Sequence, residues 1–80
     1  MTKIELIYGT EWCGDCKRSK KLMDEHNISY QWIDIDFDEE ARTKAAELNG
    51  GKWKVPTIVF TDGSILIEPS NEELSKKLGL

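Results

Sequence analysis

No apolar run in this chain approaches the roughly 20 residues that a helix needs to cross a bilayer. A net charge of −4 likewise argues against nucleic acid as a general partner. Histidine occurs once, at His26, and cysteine twice, so the sequence offers too few thiolate and imidazole ligands for a structural zinc site, which takes four. Repeats, low-complexity segments and linkers are absent, and 80 residues are expected to form one domain, 1–80, burying about 60 % of the surface of the unfolded chain. Met1-Thr2-Lys3 leads straight into an apolar strand and leaves no room for a secretion signal, so the expected compartment is the reducing cytoplasm. There a structural disulfide is not expected, and one closing so short a loop would add little stability.

Both cysteines lie in Trp12-Cys13-Gly14-Asp15-Cys16, between a β-rich run, Ile4 to Tyr8, and a helical pattern from about Asp15 to His26. With a helix starting at Gly14, Cys13 sits at its N-terminal end, where unpaired backbone N–H groups and the helix dipole favour a negative sulfur. Cys16, three residues on, falls on the same face one turn away, close enough to bridge. Such a Cys-x-x-Cys between a strand and a helix reads as a redox pair. Between Glu11 and Lys21 four bases (Lys17, Arg18, Lys20, Lys21) face two acids (Glu11, Asp15), a local +2 that leaves −6 for the remainder. Lys17 and Arg18 are candidates for stabilising the thiolate, and Asp15 for opposing it. Lys20 and Lys21 also have helical pair spacing to Asp24 and Glu25.

Along the rest of the chain, the first helix carries Cys16, Ser19, Leu22, Met23 and His26 in one stripe and stops at Asn27, with His26 assigned no chemistry. Tyr30 to Ile35 reads as a second strand, making a right-handed parallel βαβ unit with Ile4 to Tyr8 at the sheet centre. Acids from Asp34 to Glu40 open a second helix, about Glu39 to Asn49, with Ala41, Ala45 and Leu48 as a thin apolar stripe ended by Gly50-Gly51. After a loop at Lys52-Trp53-Lys54 and Val55-Pro56, Thr57 to Phe60 is a third strand. Asp62-Gly63 turns it back through Ser64 to Ile67. Ser70 and Glu73 have capping-box spacing at the start of a last helix, which Gly79 stops. The expected order is βαβαββα.

That order, with Trp12-Cys13-Gly14-Asp15-Cys16 after the first strand and Val55-Pro56 before the third, resembles the glutaredoxins, small members of the thioredoxin fold. Asn49-Gly50-Gly51, Val55-Pro56-Thr57, Asp62-Gly63-Ser64 and Pro69-Ser70 resemble the mycoredoxin-type branch in particular. The resemblance implies an α/β fold with a four-stranded mixed sheet flanked by three helices, and a cis Pro56 whose loop faces Cys13. It implies a thiol–disulfide oxidoreductase in which Cys13 attacks and Cys16 resolves, reducing protein disulfides or protein–small-thiol mixed disulfides. Trp12 would form an apolar wall beside the sulfur. Val55 would present its backbone to an extended substrate, and Lys54, Ser70 and Asn71 would line the small-thiol site.

Where many glutathione-using glutaredoxins have lysine three residues before the first cysteine, this chain has Thr10. Lys54 replaces their threonine before Val-Pro, and Glu68-Pro69-Ser70-Asn71 replaces their Gly-Gly and acid. The electron donor is therefore expected to be glutathione, mycothiol, a similar small thiol or a flavin reductase, with no bound cofactor or metal and a monomeric chain. An acidic thiol would be held only by exposed charge, from the third helix start and from Lys52 and Lys54. Two other classes stay open: an Fe–S cluster carrier using Cys13 in a dimer, and a non-catalytic binding module of the same fold.

Overall fold

The structure is a computed structural model and describes residues 3–80. Met1 and Thr2, on which the expectation of no leader partly rests, lie outside the described residues. The chain runs β1 (Ile4–Gly9), α1 (Gly14–Glu25), β2 (Gln31–Asp34), α2 (Glu39–Leu48), β3 (Thr57–Phe60), β4 (Ile65–Ile67) and α3 (Asn71–Leu78). These form one four-stranded sheet in the order β2-β1-β3-β4. β1 is parallel to β2, with Leu6 opposite Gln31 and Gly9 opposite Asp34. It is antiparallel to β3, with Tyr8 opposite Thr57, and β3 is antiparallel to β4. The expected βαβαββα order and the central place of β1 are what the structure shows.

Alternation along the strands sorts the core into two layers. Ile4, Ile7, Ile58 and Phe60 meet Met23 of α1 and Leu74 and Leu78 of α3. Tyr8 on the opposite face meets Ile35 and Ala41 and Ala45 of α2, and both cysteines join this second cluster with Val55. Small alanines let α2 lie close to the sheet. Leu48, expected in their stripe, is instead exposed, because the helix ends there and Asn49 turns inward in its place. Gly9 is needed where β1 reaches the cysteine turn, since a Cβ there would run into the indole of Trp32. That ring is covered by Lys20, whose ammonium lies 4.2 Å from its centroid. Lys20 thus stacks on an aromatic face rather than pairing with Asp24, while Lys21 does reach Glu25, at 4.0 Å.

The helix ends follow from local chemistry. Asn27 takes the left-handed conformation (φ 55) just beyond α1, and Asp38 caps α2 by accepting from the amide of Ala41. Ser64, expected in β4, belongs to the turn, because its amide and hydroxyl both donate to Asp62 Oδ1. Those bonds from Ser64 hold the Asp62 carboxyl below the usual carboxylate range. Ser70 accepts from the Glu73 amide at 3.1 Å, and the Glu73 carboxylate accepts from the Ser70 amide at 3.2 Å, completing a capping box.

Replacing Ser70 by alanine unpairs the third amide of α3 and is expected to lower stability by about 0.5–2 kcal/mol. In urea the midpoint should fall with an unchanged slope. An unmoved midpoint would show that α3 does not depend on this cap.

Candidate active site

Cys13 is the N-cap of α1. Its backbone is extended (φ −81, ψ 118), and its sulfur accepts the amide of Cys16 at 3.3 Å. A cap position is ordinarily filled by a serine or aspartate oxygen that takes the same amide. Here the nucleophile candidate occupies it, pointed at the positive end of a 12-residue helix. The Cys13 thiol also donates to the carbonyl oxygen of Val55 at 3.6 Å, which brings the turn before β3 against the sulfur.

Cys16 lies behind, 1 % exposed against 8 % for Cys13, and both are free thiols. Burial and, after it, the hydrogen bond to Cys13 push the Cys16 thiol from 9.0 up to about 12, with the charges of Cys13 and Asp15 adding to the shift. A backbone hydrogen bond from Thr10 pulls the other way. Burial is the largest of these causes, and the hydrogen bond and charge from Cys13 follow it. The pair is asymmetric in exposure and in proton affinity.

The Val55–Pro56 bond is cis, and both residues are buried. Behind them Thr57 donates to the Lys54 carbonyl at 2.6 Å, while Asn49 Nδ2 donates to the Thr57 hydroxyl at 3.1 Å and to the Ala45 carbonyl at 2.9 Å. The turn is thus tied to the C-terminal end of α2. Neither Asn49 nor Thr57 was assigned this part from sequence, although Asn49-Gly50-Gly51 stood out as a motif. The ammonium groups of Lys52 and Lys54 make no ion pair among the described residues.

Trp12 is 62 % exposed. Its indole N–H donates to Asp36 Oδ2 at 2.7 Å, and its ring meets Trp53 edge-on, with centroids 6.5 Å apart and planes at 69°. Trp53 and Asp36 were not singled out in the sequence, because nothing in a loop tryptophan or in one acid among several predicts that they converge on residue 12.

Arg18 pairs with Asp15 at 3.2 Å and donates to the Pro69 carbonyl at 3.3 Å. Its guanidinium thus offsets the Asp15 charge and ties α1 to the start of α3. At about half exposure such a pair contributes little to stability, so its effect is positional. The Lys17 side chain is exposed. Ser70 and Asn71 stand at the N-terminus of α3, where the capping box already uses the Ser70 hydroxyl and amide. No group of three or more His, Cys, Asp or Glu able to hold a metal occurs among the described residues, and none of the described helices is long and apolar enough to cross a membrane.

Comparison with known proteins agrees with this geometry. The family model described as Glutaredoxin matches residues 6–65. A protein of Mycobacterium tuberculosis named "Putative glutaredoxin" is 42 % identical over 78 residues, covering 98 % of this chain and 93 % of its own. Mycoredoxin 1 of Corynebacterium glutamicum is 36 % identical over 72 residues, covering 90 % and 89 %. The crystal structure of the thioredoxin-like protein BC3987 superposes with a TM-score of 0.77 at 27 % identity, over 92 % of this chain and 97 % of that one.

Burial and the hydrogen bond to Cys13 keep the Cys16 thiol protonated well above neutral pH. Iodoacetamide applied to the reduced protein at pH 7–9 should therefore label Cys13 well ahead of Cys16, as read by peptide mass spectrometry. Equal labelling rates would contradict the asymmetry.

Proposed function

Because the chain belongs to the glutaredoxin family, and so to the thiol–disulfide oxidoreductases, we propose that it reduces protein disulfides and protein–small-thiol mixed disulfides, with Cys13 as nucleophile and Cys16 as resolving thiol. The observation that carries this reading is the Cys13 sulfur standing as the α1 cap, accepting the Cys16 amide, in front of a buried Cys16 thiol.

Cys13, as thiolate, attacks one sulfur of the partner disulfide. That S–S bond breaks, the departing sulfur takes up a proton, and Cys13 is left in a mixed disulfide. Cys13 then no longer offers charge or a sulfur acceptor to Cys16, so part of what holds the second thiol protonated is gone. Cys16 gives up its proton, attacks the Cys13 sulfur, and the second partner sulfur leaves as a thiol. The partner has gained two electrons and two protons, and Cys13 and Cys16 share a disulfide. Two equivalents of a small thiol, or a flavin reductase, return the pair to dithiol.

In this reading Val55 and Pro56 form the wall opposite the sulfur and Trp12 the apolar wall beside it. Lys54, Ser70 and Asn71 line the small-thiol side, while Asp15 with Lys17 and Arg18 sets the local field. The chain acts as a monomer in a reducing cytoplasm, with neither cofactor nor metal bound. Among donors the geometry favours a thiol without carboxylates. Glutathione has two, and the capping box already takes the Ser70 and Glu73 amides of the helix start that would receive one. Mycothiol, an acetylated cysteine on a neutral sugar pair, has none, and the likeness to a protein named Mycoredoxin 1 supports it.

Two measurements test the reading. The Cys16→Ser variant, mixed with a disulfide-bonded protein, should accumulate a mixed disulfide on Cys13 by mass spectrometry, and its absence would remove the nucleophile assignment. Turnover should be fast with mycothiol and slow with glutathione. The glutathione rate should fall further as salt rises, since exposed Lys52 and Lys54 are screened beyond about 10 Å at 0.1 M salt. Fast, saturable, salt-independent turnover with glutathione would count against the carboxylate argument.

A further inference from the structure

The aromatic residue next to the nucleophile is both exposed and fixed, and these two properties rarely meet without a reason. Tryptophans are on average well buried. An indole 62 % exposed at Trp12 would be free to change rotamer if nothing held it. Two groups from distant segments do hold it. Asp36, in the turn after β2, takes the indole N–H at 2.7 Å, and Trp53, in the loop before Val55, meets the ring edge-on at 6.5 Å.

Asp36 is itself pinned on both sides. Its amide donates to Asp34 Oδ1 at 2.9 Å. Its carbonyl accepts from the Arg42 guanidinium at 3.3 Å, and that guanidinium also reaches the Ile35 carbonyl at 3.0 Å. Among the described residues the Asp36 carboxylate enters no ion pair, so the indole is the side-chain partner it has. A line of hydrogen bonds therefore runs from Arg42 on α2 through the Asp36 backbone and carboxylate to the indole, and ends on the residue before Cys13.

We propose that Asp36 is a positioning residue. By holding the Trp12 indole against Trp53, it presets the apolar wall on which the polypeptide bonded to Cys13 must lie while the mixed disulfide exists. The inference rests on the oxidoreductase reading above and adds a determinant of protein-substrate affinity outside the Cys-x-x-Cys and Val-Pro segments. The carboxylate acts on binding through the indole and never touches the sulfur, so its loss is felt in KM and little in kcat.

The test uses reduction of insulin with dithiothreitol as reductant, following KM and kcat beside the indole N–H proton resonance of Trp12. Asp36→Ala is expected to raise KM about tenfold, the size of one lost hydrogen bond to a charged acceptor, with kcat within about twofold, and to move the indole resonance upfield. Asp36→Asn, which keeps an acceptor oxygen, should restore most of both. Glu40→Gln removes a charge from the turn–α2 region without touching the indole and should change neither. Trp12→Phe breaks the same bond from the other side. It should raise KM comparably, and in that background Asp36→Ala should add nothing. If Asp36→Ala does not fold, Trp12→Phe and Asp36→Asn carry the test.

An unchanged KM in Asp36→Ala, an equal loss in Glu40→Gln, an additive double variant, or a KM change without movement of the indole resonance would each overturn the inference and leave the oxidoreductase reading standing. Wild-type protein without any disulfide turnover would overturn that reading and this inference with it.

Discussion

The site depends on one hydrogen bond, from the Cys16 amide to the Cys13 sulfur at 3.3 Å. It makes the Cys13 sulfur a structural part of the helix, because the first amides of α1 need an acceptor and the sulfur supplies one. The arrangement constrains the chain on both sides. Residue 13 must keep extended backbone, so the turn from β1 has to deliver it in that conformation, and Gly9 lets the turn begin tight against Trp32. Position 16 must then face inward, which places the second thiol at 1 % exposure and fixes its high proton affinity.

Much of the fold was legible because its signals are local. Apolar periodicity located the strands and helices, Ser70 started α3, and Asn27 and Gly79 ended helices where their chemistry says they should. Deviations stayed at element ends and each has a competing contact: Ser64 is drawn out of β4 by Asp62, and Leu48 gives its inward place to Asn49. That the two cysteines come together was legible for the same reason, since spacing along one helix is sequence-local. What could not be read were contacts across the chain. Trp12 with Asp36 spans 24 residues and Cys13 with Val55 spans 42, and no periodicity encodes such encounters. The resemblance to glutaredoxins supplied the Val55–Pro56 placement but not Asp36, Trp53, Asn49 or Thr57.

Those four residues share a logic. Asn49 and Thr57 tie down the turn that carries Val55 and Pro56, while Asp36 and Trp53 tie down Trp12. Holding a partner in a defined pose is less costly when the walls are already ordered, because the entropy of fixing them was lost on folding and not on binding. α2 anchors both walls, through Arg42 near its start and Asn49 at its C-cap. The helix that shows no obvious chemistry in the sequence is thus the element that relates one side of the cleft to the other.

Charge completes the division of labour. Asp15, which opposes ionisation of Cys16, is matched by Arg18, and that pair leans on the Pro69 carbonyl rather than facing the sulfurs. One α1 amide, that of Cys16, contacts the Cys13 sulfur directly, whereas exposed charges such as Lys17 act from solvent and are screened by salt. At the α3 start the chain's own Glu73 accepts the Ser70 amide, so the capping box already satisfies part of that helix end. The backbone of α1 thus holds the Cys13 sulfur in place. The surroundings of that sulfur are largely apolar, with Val55 against it and the Trp12 ring in the preceding turn.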